Sequence, residues 1–211
     1  DEKYFINLNT LVKAKSELEK GKILNRDELN EEESIIIRNA GLLSYKPIMY
    51  VANVDEESIE EGNNLSSLVK NYASKKNISF VKISSKIEEE LSSFENKKEK
   101  AALMKSLGIV QSGLDAFISK GFKLLNLITF FTSGPKESRA WTIPIDSNAP
   151  DAAGIIHTDF KKGFIAAEVI NYKDLISSGG DVNAKNMGLI KTQGKDYRVK
   201  DGDVILFRFN V

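Results

Sequence analysis

The chain has 211 residues, 30 basic and 30 acidic side chains, one histidine and no cysteine. The balanced charge gives no bulk attraction to nucleic acid or to a membrane surface, and the lack of thiols excludes disulfides and cysteine-ligated metal sites. No apolar run approaches the length of a membrane span and the first residues do not read as a signal peptide, so we expect a cytoplasmic protein with no membrane partner.

The N-terminal part is expected to form a helical hairpin. Its first helix begins at about Leu8 and ends at Gly21. Asn30 followed by Glu33 is the pattern of a capping box, so a second helix should begin there and end at Gly41. The many charges and the lack of a lasting heptad favour a solvated bundle edge, with a coiled-coil tip as the alternative.

A strand–helix–strand unit follows the hairpin. Pro47 to Ala52 is a continuous apolar run, which predicts a strand buried on both faces. A helix is expected from about Leu65 to Ser74, and a second buried strand from Ser79 to Ser84. Together they predict one right-handed βαβ crossover. Two strands are too few for an independent parallel sheet, so the unit either continues upstream or packs on something else.

The next segment is predicted to be helical. Residues Glu88 to Gly108 are expected to form one charged helix, and Ser112 with Asp115 marks the start of another. Behind that start, apolar residues recur at helical spacing, namely Leu114, Phe117, Ile118, Phe122 and Leu125. This stripe predicts a core-facing helix rather than a cofactor site.

The last third of the chain predicts a mixed sheet of about five strands with one helix across a face, the β-grasp shape. A hairpin turning at Gly134-Pro135 joins two of the strands, and Tyr197 to Val199 is expected to form another hairpin with Val204 to Phe209 about Asp201-Gly202. The remaining predicted elements are the strands Leu127–Thr132, Arg139–Ile145 and Phe164–Ile170, the small helix Asp151–Ile156, and short helical or irregular segments at Tyr172–Ile176 and Val182–Leu189.

Three stretches carry a family resemblance. AAGIIHTDFKKGFIAAEV and KDYRVKDGDVILFRFN resemble the TGS domain that closes the YchF / Obg-like ATPases, and LLSYKPIMYVANVDE resembles a second stretch of that family. The resemblance implies an α/β plus α+β chain, in which a partial P-loop NTPase-type parallel unit with a helical hairpin precedes a β-grasp TGS domain. We therefore expect the end of a helical (coiled-coil) insertion at 1–43, the C-terminal part of an Obg-type G domain at 44–126, and the TGS domain at 127–211.

The candidate nucleotide site is the sequence Asn53-Val54-Asp55-Glu56, which follows a predicted strand. Open α/β sheets bind ligands beyond the carboxyl ends of their strands. On the residues alone, an ordinary polar turn is the alternative. P-loop GTPases have Asn-Lys-x-Asp at this place, and the resemblance implies that the Asn-x-x-Glu form binds ATP in preference to GTP. It assigns Asn53, Val54 and Glu56 to adenine.

Ser84 and Ser85 follow the next strand, at the position where NTPases of this kind have their second base-contacting loop. A helix N-cap by either serine is the alternative role, and it is compatible with the first. The phosphate-binding pattern GxxxxGK[ST] does not occur in the chain. The resemblance places it upstream of the helical insertion, so we expect a fragment that keeps base-recognition loops and does not hydrolyse ATP unaided. ATP and Mg²⁺ are implied for the complete protein.

His157 has no second histidine, no cysteine and no nucleophilic serine context, so a structural role as a helix cap is favoured over catalysis. The resemblance implies partners in translation: the ribosome or its subunits, and rRNA, tRNA or translation factors. The alternative function is thus a non-catalytic β-grasp module that binds RNA or protein. Phosphate contacts would come from Lys136, Arg139, Lys161 and Lys162 near an exposed Phe160.

Overall fold

The computed structural model describes residues 2–22, 24, 28–134 and 137–210. The chain divides into two compact units, Asp1–Ile48 and Met49–Val211. The division into three parts expected from the sequence remains a proposal. None of the helices within the described ranges is both long enough and apolar enough to cross a membrane.

The first unit is a pair of helices, α1 (Glu2–Glu19) and α2 (Glu31–Asn39), followed by a short 3₁₀ helix at Leu43–Tyr45. The capping box is confirmed, since the Asn30 side chain accepts from the N–H of Glu33 at 2.9 Å and the Glu33 carboxylate accepts from the N–H of Asn30 at 3.0 Å. Helix α1 begins earlier than Leu8 because no glycine or proline interrupts the preceding residues. Ala14, Leu24 and Ile37 form the buried cluster of this unit.

The second unit opens with β1 (Met49–Asn53), α3 (Asn64–Lys75) and β2 (Ser79–Ile83). The two strands pair in parallel, with Asn53 opposite Ile83, which confirms the βαβ unit. The expectation of a strand buried on both faces is wrong for β1, because Val51 remains 44% exposed whereas Val81 in β2 is 2% exposed. The physical reason is that β2 is packed by two helices, at residues 64–75 and 113–124, whereas β1 is packed mainly by the first of them.

Three helices follow, α4 (Ser85–Ser93), α5 (Lys97–Ser106) and α6 (Gly113–Leu124). The single helix expected over Glu88 to Gly108 is therefore wrong. Helix α4 ends at Ser93 because Phe94 takes an extended conformation with ψ of 118°. Asn96 then caps α5, since its side-chain oxygen accepts from the N–H of Lys98 at 2.9 Å.

The start of α6 is as predicted, since the Ser112 hydroxyl accepts from the N–H of Asp115 at 3.1 Å. The core role expected for its apolar stripe is wrong, because α6 contains no buried residue. Phe117 is 40% exposed and Ile118 is 47% exposed. The apolar periodicity does predict the helix, but periodicity alone does not determine whether another element covers the apolar face.

The C-terminal region holds one five-stranded sheet in the order β4-β3-β7-β5-β6. Strands β3 and β7 pair in parallel and the other neighbours are antiparallel. The elements are β3 (Leu127–Ser133), β4 (Ser138–Pro144), α7 (Ala149–Ile156), α8 (Thr158–Lys162), β5 (Phe164–Asn171), α9 (Tyr172–Ser178), α10 (Asp181–Asn186), β6 (Lys191–Gln193) and β7 (Asp203–Phe209).

Helix α7 packs across one face of this sheet. The Asn148 side chain caps it by accepting from the N–H of Asp151 at 2.8 Å. Its buried residues are small, so the helix backbone lies close to the strands. The core beneath it includes Phe130 and Ile143, which are 0% and 1% exposed, and Trp141 is half-buried against that core.

The predicted hairpin of Tyr197–Val199 with the last strand is wrong. Strand β7 pairs with β5 and β3, and the fifth strand is Lys191–Gln193. The residues around Asp201-Gly202 bind elsewhere: Asp201 accepts from the N–H of Thr129 at 2.8 Å, and the N–H of Gly202 donates to the Thr129 carbonyl at 2.8 Å. These bonds tie the turn to β3 instead of closing a hairpin.

The turn of the β3–β4 hairpin is described only in part. The N–H of Gly134 donates to the carbonyl of Glu137 at 2.9 Å, which closes the hairpin. Pro135, the second residue of the predicted turn, and Lys136, one of the predicted phosphate contacts, lie outside the described residues.

Candidate functional site

The candidate site lies at the carboxyl edge of the two-stranded sheet. Asn53 is the last residue of β1, and Ser84 directly follows β2. Because the strands are parallel and Asn53 pairs with Ile83, the loops after both strands meet at this edge. The structure therefore brings together the two loops that the sequence singled out separately.

The side chain of Asn53 joins the two loops. Its oxygen accepts from the backbone N–H of Ser85 at 3.0 Å and from the Ser85 hydroxyl at 3.1 Å. The residue is exposed, and among the described residues its amide nitrogen has no hydrogen-bond partner. Asn53 thus uses its acceptor to join the two loops, and its N–H₂ donors make no hydrogen bond with the described residues.

Val54 is fixed by the sheet. Its side chain is 8% exposed, and its N–H donates to the carbonyl of Ile83 at 2.8 Å. The N–H of Val54 is therefore committed to the sheet, whereas no hydrogen bond to its carbonyl oxygen is described.

Glu56 and Lys86 form an ion pair across the two loops. The Lys86 ammonium lies 2.6 Å from the Glu56 carboxylate, and the two side chains are 73% and 41% exposed. The hydrogen bond to Glu56, together with the charge of that carboxylate, raises the pKa of Lys86 above its usual value. The adjacent Asp55 carboxylate serves its own loop, accepting from the N–H of Ser58 at 2.9 Å.

The pairing of Lys86 with Glu56 is the feature of this site that the sequence does not predict. The available signal was the presence of opposite charges in the loops that follow two adjacent strands. Residues separated by 30 positions meet only once the strands are paired in parallel.

Ser84 is the buried polar residue of the site. It is 1% exposed, and its hydroxyl has no hydrogen-bond partner among the described residues. It stands at the N-cap position of α4 without making a capping bond, and the Ser85 hydroxyl bonds to Asn53 instead. The predicted N-cap position is therefore confirmed for Ser84, although no side-chain capping bond forms. An unpaired buried hydroxyl costs about 1–3 kcal/mol, which a ligand or water could recover.

The polar side chains at this edge are the Asn53 amide, the hydroxyls of Ser84 and Ser85, and the charged pair of Glu56 and Lys86. The described residues hold no group of three or more acidic, histidine or cysteine side chains that could bind a metal ion. The Mg²⁺ that the resemblance implies belongs to the complete protein and is not assigned to these residues.

His157 has the structural role that the sequence favoured. Its Nδ1 accepts from the N–H of Asp159 at 3.2 Å and so caps α8. The Asp159 carboxylate lies 3.4 Å from the same nitrogen. With Nδ1 engaged in this way, His157 is explained as a helix cap.

The expected basic surface around Phe160 is not formed as predicted. Phe160 is half-buried and stacks on Phe209 with ring centroids 3.8 Å apart. Lys161 pairs with Asp151 at 2.7 Å. Arg139 lies over the ring of Trp141, with its guanidinium carbon 4.1 Å from the ring centroid. The Phe160 ring thus packs against the core, and the charge of Lys161 is neutralised by Asp151.

Comparisons with known proteins agree with the resemblance stated for the sequence. Residues 127–210 match the family YchF-GTPase_C, which is described as a protein of unknown function (DUF933). The chain is 43% identical to the ribosome-binding ATPase YchF of Bacillus subtilis over 95% of its length, and 43% identical to that of Escherichia coli O157:H7 over 97%. These matches cover 55% and 56% of the two relatives, so the chain spans about half their length.

Solved structures give the same result. The YchF GTPase of Schizosaccharomyces pombe is similar with a TM-score of 0.81 and 30% identity, over 95% of this chain and 53% of that one. A GTP binding protein from Pyrococcus horikoshii shares the fold with a TM-score of 0.56 and 18% identity, over 96% of this chain and 56% of that one. Nearly the whole chain is therefore similar to about half of each of these YchF proteins, and residues 127–210 match the C-terminal domain model of the YchF family.

Proposed function

We propose that the chain is the base-recognition and C-terminal portion of a YchF-type ATPase that binds ATP in preference to GTP. The observation that carries the proposal is the link between Asn53 and Ser85, which leaves the Asn53 amide donors free at the carboxyl edge of a parallel sheet. Its similarity to the YchF proteins, with relatives named ribosome-binding ATPases, supports the same reading.

The base preference follows from donor and acceptor chemistry. Adenine and guanine share the N7 acceptor, so a donor from Asn53 suits either base. At the neighbouring position adenine carries an N–H₂ donor, whereas guanine carries the O6 acceptor. The Val54 N–H is committed to Ile83, so Val54 offers a carbonyl oxygen, which pairs with the adenine donor and repels O6.

The phosphates are held elsewhere in this proposal. A bound ATP supplies the scissile phosphoanhydride bond, and the present residues bind and orient only its base. The chain contains no GxxxxGK[ST] sequence to cradle phosphates, and the acidic residues described do not cluster around a possible Mg²⁺ position. We infer that the chain alone binds nucleotide weakly and does not hydrolyse it.

We further propose that the five-stranded sheet is a β-grasp domain of the TGS type, and that the protein works in the cytoplasm with the ribosome as partner. The order β4-β3-β7-β5-β6, with its central parallel pair and the helix α7 across one face, supports the β-grasp assignment. The names of the relatives support the ribosome. Contacts to rRNA, tRNA or translation factors are finer alternatives within this proposal.

Competition binding tests the base assignment. A fluorescent ATP analogue bound to the chain is displaced by unlabelled ATP or GTP, and we expect ATP to displace it at lower concentration. Equal displacement by the two nucleotides would contradict the adenine assignment.

Co-sedimentation with ribosomal subunits over a series of salt concentrations tests the partner. Binding that weakens steeply with salt indicates phosphate contacts, and binding that resists salt indicates protein contacts. No co-sedimentation at any salt concentration would remove the ribosome as a partner of this chain.

A further inference from the structure

We propose that Lys86 is a specificity residue that disfavours guanine at the base site by neutralising the carboxylate of Glu56. This inference rests on the proposed function, because it assigns base selection at the same site. Among the described contacts, Lys86 touches neither Asn53 nor Val54. The inference assigns a function to the ion pair between Lys86 and Glu56.

The geometry weakens the acceptor that guanine would need. Guanine presents an N–H₂ donor at N2 that adenine lacks, and an ionised carboxylate is the side chain best suited to accept from it. Glu56 stands in the acidic position of the loop, but its Oε2 already accepts from the Lys86 ammonium at 2.6 Å, so the charge of the carboxylate is neutralised by a neighbour. Asp55, the other carboxylate of the loop, accepts from the N–H of Ser58 at 2.9 Å.

The position of Lys86 in its helix supports a role outside the helix. Lys86 is the second residue of α4, where the positive end of the helix dipole disfavours a basic side chain. Glu88 in the same turn is of the favoured sign. Local helix energetics therefore do not account for a lysine here, whereas neutralisation of Glu56 does.

The effect should be moderate. The pair is exposed, with side-chain exposures of 73% and 41%, so water already competes for both partners. Removing Lys86 should therefore change the ratio of guanine to adenine affinity by about fivefold, within the range measured for exposed ion pairs.

The test is a titration of the chain with AMP and with GMP, followed through the backbone amide NMR signals of Asn53, Val54 and Ser85. Lys86→Met frees the Glu56 carboxylate, and we expect the affinity for GMP relative to AMP to rise about fivefold. Lys75→Met is the matched control, because it removes the same charge from an exposed position on α3. Adding Glu56→Gln to Lys86→Met should remove the gain.

The outcomes separate the two proposals. A chain that binds AMP more tightly than GMP, with an unchanged ratio in Lys86→Met, keeps the base site and overturns the role of Lys86. The same rise in Lys75→Met would also overturn it, since bulk charge would then be the cause. If neither nucleotide moves these signals in the unaltered chain, the base site itself is wrong and the inference fails with it.

Discussion

The side-chain oxygen of Asn53 accepts hydrogen bonds from both the backbone N–H and the hydroxyl of Ser85, which lies in the loop after the neighbouring strand. The two loops are therefore one structural unit before any ligand arrives. Preformed sites lose less free energy to ordering when they bind, so this bond supports affinity as well as geometry.

Asn53→Ala should weaken both the fold and nucleotide binding. It removes two hydrogen bonds from the edge of the sheet, and we expect the free energy of unfolding in urea to fall by about 1–2 kcal/mol. Asn71→Ala on α3 is the control, since Asn71 is exposed and has no contact with the site. Equal losses in the two variants would show that the link between the loops contributes nothing.

Gly163→Ala should destabilise the C-terminal sheet. A Cβ at this position would stand 1.9 Å from the backbone oxygen of Asn210, so strand β5 and the end of the chain must move apart. We expect a loss of about 2–3 kcal/mol in the free energy of unfolding. Gly194→Ala, where a Cβ meets nothing within 4 Å, should leave stability nearly unchanged. A stable Gly163→Ala would mean that the two segments do not approach each other in solution.

The contact of Tyr197 with Asp203 predicts a loss of stability at alkaline pH. Burial, followed by the hydrogen bond of the phenol to the Asp203 carboxylate at 2.7 Å, raises the pKa of Tyr197 above its usual value of 10.0. When the pH rises above about 10, the unfolded chain loses the phenolic proton of Tyr197 while the folded chain keeps it. The unfolded state then binds fewer protons, so stability should fall as the pH rises beyond about 10.

Tyr197→Phe isolates this contribution. Its thermal unfolding temperature should fall less steeply with pH in the alkaline range than that of the unaltered chain. Tyr50→Phe serves as the control, because Tyr50 contacts the ring of Tyr72 and no carboxylate contact is described for it. Parallel pH profiles for all three proteins would exclude the role of Asp203.

The exposed apolar face of α6 predicts an unusual contrast between two isoleucines. Ile118 is 47% exposed, whereas Ile87 in α4 is 1% exposed. Ile87→Ala should cost about 2–5 kcal/mol in the free energy of unfolding, and Ile118→Ala less than about 1 kcal/mol. Equal costs, measured by urea unfolding, would show that something covers α6 in solution.

Local signals in the sequence predicted much of this fold. Cap residues predict the starts of α2 and α6, as the bonds of Asn30 and Ser112 show. Apolar runs located both parallel strands and the main strands of the larger sheet. These features depend on neighbours along the chain, so sequence reasoning can reach them.

The failures arise from long-range pairing. Tyr197 to Val199 has a strand-like sequence beside a good turn, yet the last strand pairs with β5 and β3 instead. Burial of the α6 stripe depends on what lies opposite it, which periodicity does not encode. At the site, the loop residues were found by resemblance, but the Lys86 and Glu56 pair needed the parallel register.

The most direct measurement of the central claim maps where ATP binds. Backbone amide NMR signals of the isotope-labelled chain are recorded as ATP is added to millimolar concentration. We expect the largest shifts at residues 53–56 and 84–86, with smaller shifts for the same amount of GTP. If the amide signals of residues 53–56 and 84–86 do not change, or if they change more with GTP than with ATP, an adenine site at the carboxyl edge of β1 and β2 would be contradicted.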